Sequence, residues 1–288
     1  MSEFTLKVGG VEIVALSDMN LPFPMPLGQL FPDAPAAAWE PYKQRYPDAF
    51  EQDHMLIEIG CYLVRTADRA ILIDTGYGEG PIEAIGGRRG ELMDDLASKG
   101  ISPEEIDIVF ISHLHSDHVG WNVVGADENA VPAFPNARYV CHQADLEHFR
   151  RADIQAAMSF PFMDRCVETV ARAGLLDTLT EDSDLAQGVR ALHTPGHTPG
   201  HMSILVASQG EEALIQGDVL VHPAQVTEDD WNCHFDFDWP VATDTRRKML
   251  ADAENQGTRV ISCHFPAPGF GKVARSGGKR YWQVGFQG

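Results

Sequence analysis

The sequence has no run approaching 18 consecutive apolar residues, and Met1 to Val8 contain no basic region followed by an apolar core. Neither a membrane-spanning helix nor a secretory leader is expected, so the chain reads as soluble, cytoplasmic and without a membrane partner. Cysteine is sparse: Cys61, Cys141, Cys166, Cys233 and Cys263 are scattered, odd in number and never form Cys-x-x-Cys. A disulfide framework is not expected, and reduced thiols are. Positive charge is also scarce, with 22 Lys and Arg against 42 Asp and Glu, a formal charge of −20. Binding to a phosphate backbone needs a basic stripe, so a nucleic-acid partner is disfavoured. Hydrophobic residues make up 44% and charged residues 22%, ordinary globular usage that excludes a disordered or fibrous class. At 288 residues the whole chain, 1–288, is within reach of one large layered domain.

What is abundant is histidine in one place. Ser112-His113-Leu114-His115-Ser116-Asp117-His118 puts three of the twelve histidines and an aspartate within six positions, directly after the apolar run Ile108 to Ile111. Ligands presented where a buried strand ends are what a metal site requires, since zinc and its neighbours take imidazole nitrogen and carboxylate oxygen. A cluster this dense offers more donors than one tetrahedral ion uses and suggests two ions.

Along the chain, Phe4 to Leu16 alternate around Gly9-Gly10 and predict a hairpin. From about 20 to 50 a Pro-rich arm follows, in which Leu21-Pro22-Phe23-Pro24-Met25-Pro26-Leu27 excludes a central strand or helix. The arm either packs against the domain or serves as a lid or subunit contact, with a short helix over Pro35–Tyr46 interrupted at Pro41. Strands are expected over Met55–Thr66, Ala70–Ile73, 107–111, Arg138–Cys141, Met202–Ala207, Glu212–Gln216 and Arg259–Cys263. Helices are expected over Pro81–Lys99, over Ala144–Arg172 with an interruption near Pro161, and over Thr243–Asn255. Several strands end in chemistry-bearing residues: Asp74-Thr75-Gly76, Gly217-Asp218 and Cys263-His264, while His193 to His201 carries two Pro-Gly turns. Strands with helices between and outside them make an α/β arrangement.

These motifs, in this order, resemble the metallo-β-lactamase fold superfamily of metallohydrolases, and the resemblance covers nearly the whole chain. It implies a four-layer αββα sandwich with a dinuclear metal site at the sheet edge. Position by position, it implies that His113, His115 and His197 hold one ion, that Asp117, His118 and His264 hold the other, and that Asp218 bridges both. Asp74 matches a carboxylate that orients a ligand. The implied cofactors are two divalent transition-metal ions, Zn2+ foremost, with manganese, cobalt or iron accepted by the same donors. Two such ions about 3.5–4 Å apart share a hydroxide that serves as nucleophile.

The segments after Asp218 and around His264-Phe265-Pro266 look most like the branch containing methyl parathion hydrolase and related lactonases. This implies a metal-dependent hydrolase of a small apolar ester-like substrate: a lactone, an aryl ester or an organophosphotriester. Asp117 is then placed to pass a proton to the leaving group, Leu21, Phe23, Trp121, His222 and Phe270 are candidates for the pocket wall, and a homodimer through the arm is implied. The best-known acyl-homoserine lactonases carry a tyrosine three residues after the bridging aspartate, where this chain has Val221. The alternatives are a β-lactam or thioester hydrolase of the same fold and a non-hydrolytic iron-binding redox protein.

Overall fold

A computed structural model describes residues 4–125, 129–157 and 162–285. An eight-stranded and a seven-stranded sheet lie face to face. Alternation along the strands decides what each face meets. Ile13, Ala15, Tyr62, Val64, Ile71 and Ile73 point between the sheets, where they meet Ala191, Ile204, Val206, Ala213, Ile215 and Ile261 of the second sheet. Their neighbours Val14, Leu16, Cys61, Leu63 and Leu72 point the opposite way, under Leu92, Leu96, Leu146, Phe149, Val167 and Val170 of the helical segments. Helix Trp239–Gln256 covers the outer face of the second sheet through Met249, Leu250 and Ala253 against Leu214 and Val260. Four layers result, αββα, as expected for strands buried on both faces. No helix among the described residues is long and apolar enough to cross a membrane.

The hairpin and most expected strands are present. Four segments differ. Strand Val11–Pro26 runs on through the Pro-rich stretch, pairing Leu21 with Ile57, Pro22 with Leu56 and Pro26 with His54. Its partner on the other side, Thr5–Val8, reaches only as far as Val14. Residues 20–26 are therefore an edge there, where a missing proline N–H leaves no ladder bond unmade. Pro41 sits in the first turn of helix Glu40–Arg45 and starts it rather than interrupting it. Over Pro81–Lys99 only Glu83–Ile85 and Leu92–Ser98 are helical, because Gly86 and Gly87 take φ of 76° and 74° and break the run. Helix Trp239–Gln256 starts earlier than expected, with the Asp238 carboxylate capping the Val241 N–H. The expected interruption near Pro161 lies outside the described residues.

The arrangement delivers the motifs to one end. Strands Ala70–Ile73, Ile108–Phe110 and Arg138–His142 are mutually parallel, as are Glu211–Ile215 and Arg259–Ile261, so Asp74, His113, Asp218 and His264 all follow carboxyl ends. Main-chain bonds tie the sheets together there: Met202 N–H donates to Ser112 O at 2.9 Å, and Gly60 N–H to Cys263 O at 2.9 Å.

Asp18 organises the loops on the outer side of this end. Its carboxylate is buried and accepts from Tyr77 N–H at 2.7 Å, Leu92 N–H at 3.0 Å and the Trp121 indole N–H at 2.7 Å. A Cβ on Gly76 or Gly90 would stand 2.3 Å from that carboxylate, which is why glycine is needed at both. Burial, only partly offset by those donors, pushes the Asp18 carboxyl up to about 6. Asp18→Asn turns an acceptor-only group into one that aims its NH2 at N–H donors. It is expected to cost about 1–3 kcal/mol of unfolding free energy, measured by denaturant titration, with the metal-site residues untouched.

Candidate metal centre

The structure brings His113, His115 and His197 into one group and His118, Asp218, Cys263 and His264 into another. In the first, the Nδ1 of His115 lies 2.9 Å from His113 Nε2 and 3.0 Å from His197 Nε2. Burial first, then neighbouring imidazoles, push the His113 and His115 pKa values well below the ordinary range, so both rings are neutral. Neutral nitrogens aimed at one point make a cation site, as a proton satisfies at most one such contact at a time.

The second group is arranged by carboxylates. Asp74, at φ 61° after strand Ala70–Ile73, accepts from Ser112 N–H at 2.7 Å and Ser112 Oγ at 2.8 Å, and holds His118 Nδ1 at 2.8 Å. That contact leaves His118 Nε2 facing inward, 3.6 Å from Asp218 Oδ1 and 3.7 Å from Asp117 Oδ2, buried and without a hydrogen-bond partner. His264 is held from behind by its Nδ1 on Glu58 O at 2.9 Å, and its Nε2 lies 3.1 Å from Asp218 Oδ2 and 3.6 Å from Asp117 Oδ2. Burial opposes charge on His118, but Asp74, then Asp218 and Asp117, outweigh it and raise the ring to about 10. The same contest, won by Asp218, raises His264. For Asp218 burial works upward, but His264, His118 and His113 hold the carboxyl well below its ordinary range. The carboxylates thus demand positive charge where these imidazoles point, and a divalent cation meets that demand by displacing the protons.

Asp218 touches both groups. Its Oδ2 lies 3.1 Å from His264 Nε2, 3.3 Å from His197 Nε2 and 3.8 Å from His113 Nε2, while Oδ1 faces His118. It is steadied by its own N–H on His201 Nε2 at 2.9 Å and by the Cys263 thiol, 3.2 Å from Oδ1. Burial, reinforced by Asp218, pushes that thiol well above its ordinary pKa, and its Sγ also lies 3.4 Å from Gly217 O. The donor set therefore fits two ions, with Asp117 a step outside the tight groups, in the cavity wall.

A cavity of about 640 Å³ opens onto this cluster. Its wall includes Phe23 from the Pro-rich arm, together with Phe149, Phe162, Phe235 and Phe237. Leu21, Trp121, His222 and Phe270 do not line it. Leu21 is buried beside Met19 and Ile57 in the outer core. Trp121 is drawn into the other helical layer by its bond to Asp18. His222 is enclosed by Phe31, Trp39 and Phe50, and Phe270 packs on Tyr62 between the sheets.

Two residues with a bearing on the site carry no signal in their own segment. Asp236 Oδ1 holds His197 Nδ1 at 2.8 Å, and its Oδ2 takes Arg246 Nη2 at 3.1 Å. Arg246 is fully buried and donates as well to the carbonyls of Val219, Asp229 and Trp231. Only the long-range fold joins the Phe235-Asp236-Phe237 turn to the helix that carries Arg246.

The chain is 28% identical over 168 residues to an N-acyl homoserine lactonase of a Bacillus species, covering 53% of this chain, and spans only 60% of that protein's length. It is 31% identical over 186 residues to the N-acyl homoserine lactonase AttM of Rhizobium johnstonii, covering 61% of this chain and 64% of that protein. Among solved structures, the hydrolase AbOPH of the beta-lactamase superfamily superposes with a TM-score of 0.83 at 25% identity, over 99% of this chain and 98% of that one. AidC, described as a dizinc quorum-quenching lactonase in complex with a product, superposes with a TM-score of 0.79 at 23% identity over the same shares. Residues 59–254 match the family model of the Metallo-beta-lactamase superfamily, and the chain belongs to that superfamily.

Proposed function

We propose that this protein is a dinuclear metal-dependent hydrolase of small, uncharged lactones and related esters, with zinc as the resident metal. The observation that carries the reading is the inward-facing, partnerless Nε2 of buried His118 beside the converging nitrogens of His113, His115 and His197. His113, His115 and His197 would hold one ion and His118, His264 and Asp117 the other, with Asp218 within reach of both groups. Bound there, the ions supply acidified water and polarise the scissile carbonyl or phosphoryl oxygen.

The chain's own residues do the rest. Asp74 and Asp236 fix the rotation of His118 and His197 from behind and leave the opposite nitrogens free to bind. Asp117, in the cavity wall beside His264, returns to the leaving oxygen the proton that the attacking water gives up. The aromatic wall excludes bulk water and takes up an acyl or alkyl group by apolar contact.

The substrate's charge follows from the lining. Among the described residues the cavity presents Asp117, Asp218 and Asp236 but no Lys or Arg. A β-lactam carrying a carboxylate, or a thioester carrying an anionic carrier, meets no Lys or Arg in that wall. A neutral lactone needs none, and the names of the curated relatives point the same way. A neutral phosphotriester suits the same wall, and a panel of acyl-homoserine lactone, aryl ester, phosphotriester and β-lactam ranks them by kcat/KM. The lactone is expected to lead and the β-lactam to be negligible, and a dominant β-lactamase activity would sink the reading.

Metal analysis of the purified protein is expected to find close to two ions per chain. Their removal by chelation should abolish turnover and lower the melting temperature, since an ion present at about 1,000 times its Kd adds roughly 4 kcal/mol to the native state. His118→Ala should bring the count towards one and cost most of the activity with the fold intact, read by circular dichroism. Asp236→Asn keeps a polar side chain beside His197 but offers Arg246 no charge. It is expected to weaken metal affinity by about 10–100-fold, measured by competition with a chromogenic chelator.

A further inference from the structure

Tyr77 is a cavity-wall residue for which the preceding account has found no use. It follows Asp74-Thr75-Gly76 and is partly buried, and it lines the cavity together with Asp117, Asp218 and His264. Its backbone is fixed: the N–H donates to the Asp18 carboxylate at 2.7 Å, and the next residue's carbonyl, Gly78 O, accepts from Gly90 N–H at 2.8 Å. The same loop is docked on the turn that presents Asp117 and His118. Thr75 N–H donates to His118 O at 2.9 Å, Gly120 N–H to Gly76 O at 2.7 Å, and Trp121 N–H to Thr75 O at 2.9 Å. The backbones press so closely that a Cβ on Gly120 would lie 1.9 Å from the Tyr77 carbonyl carbon. The tyrosine is therefore held at a set place on the Asp117 side of the site.

Its hydroxyl, by contrast, has no hydrogen-bond partner among the described residues, whereas Tyr42, Tyr46, Tyr62 and Tyr139 each have one. Burial, then the Asp117, Asp18 and Asp218 carboxylates, push the phenol above its ordinary range. On the other wall, where a tyrosine supports the substrate in the best-known acyl-homoserine lactonases, Val221 provides no donor.

Resting on the hydrolase reading above, we propose that Tyr77 is a catalytic residue whose hydroxyl donates a hydrogen bond to the leaving oxygen of the bound lactone or ester. Water adds its oxygen to the carbonyl carbon, and the bond from that carbon to the ring or alkoxy oxygen breaks. The electron pair stays on the leaving oxygen. The proton released by the attacking water reaches that oxygen by way of Asp117, while the Tyr77 O–H stabilises the developing alkoxide without giving up its own proton.

The test compares the metal-replete wild type with Tyr77→Phe on two substrates, an acyl-homoserine lactone and a p-nitrophenyl ester. Loss of one positioned donor should lower kcat for the lactone by about 100-fold with KM little changed. The nitrophenolate needs little help to leave, so the ester should lose only about threefold or less. Two ions per chain and an unchanged melting temperature in Tyr77→Phe would show that the loss is chemical. An equal loss on both substrates, no loss on the lactone, or a loss explained by missing metal overturns the role of Tyr77. A wild type that carries two ions but turns over neither substrate overturns the hydrolase reading itself.

Discussion

The site depends on a buried carboxylate that the cavity never touches. Asp74 ends its strand in a left-handed turn, takes both hydrogen-bond donors of Ser112, and holds Nδ1 of His118 from behind. One side chain thus sets where strand Ile108–Phe110 lets go of the sheet and which way the His118 imidazole faces. Oxygen has only so many lone pairs, and Asp74 spends all its contacts inside the protein. The ring it holds is left with one nitrogen and one direction. The same logic recurs at His264 on Glu58 O and at His197 on Asp236, so each ligand-bearing loop is anchored by its back, not by its partner across the site.

That anchoring explains how so many like groups share a small volume. Three imidazole nitrogens at about hydrogen-bond distance and a carboxylate within reach of four rings form an arrangement that would spread apart if the side chains were free. Burial lowers His113 and His115 on one side, while the carboxylates gathered around His118 and His264 raise those rings on the other. The protein has stored an electrostatic demand in its fold, and packing of the two sheets resists its release.

Much of this was readable in the sequence because the ligands announce themselves locally. His113 to His118 lie within six positions after an apolar run, Asp218 and His264 follow expected strands, and the family resemblance singled out His197 in its Pro-Gly loop. The αββα layers follow from strands whose two sets of alternating residues are both apolar, as Ile13 and Val14 or Val64 and Leu63 show. The wall of the cavity was not readable in that way. An aromatic residue looks the same in sequence whether it lines a cavity or fills a core. Trp121 sits next to the motif yet is claimed by Asp18, 103 positions away, while Phe235 and Phe237 reach the wall from a turn with no periodicity. Arg246, in the middle of a helix, is drawn to Asp236 only once the helix has docked. The Pro-rich stretch misleads for a related reason: whether a proline can sit in a strand depends on how far the neighbouring strand extends, here only to Val14.

All five cysteines are free and buried, so no covalent bond ties together segments distant in sequence. The ligand-bearing turns come from both sheets, which places His113 and His197, or His118 and His264, in contact across long stretches of chain. An ion gripped by both partners closes those stretches into loops, and loop closure removes freedom from the unfolded chain as a disulfide does. A metal held by these residues would then also be the molecule's cross-link, one that a chelator would withdraw and a reducing compartment would leave intact.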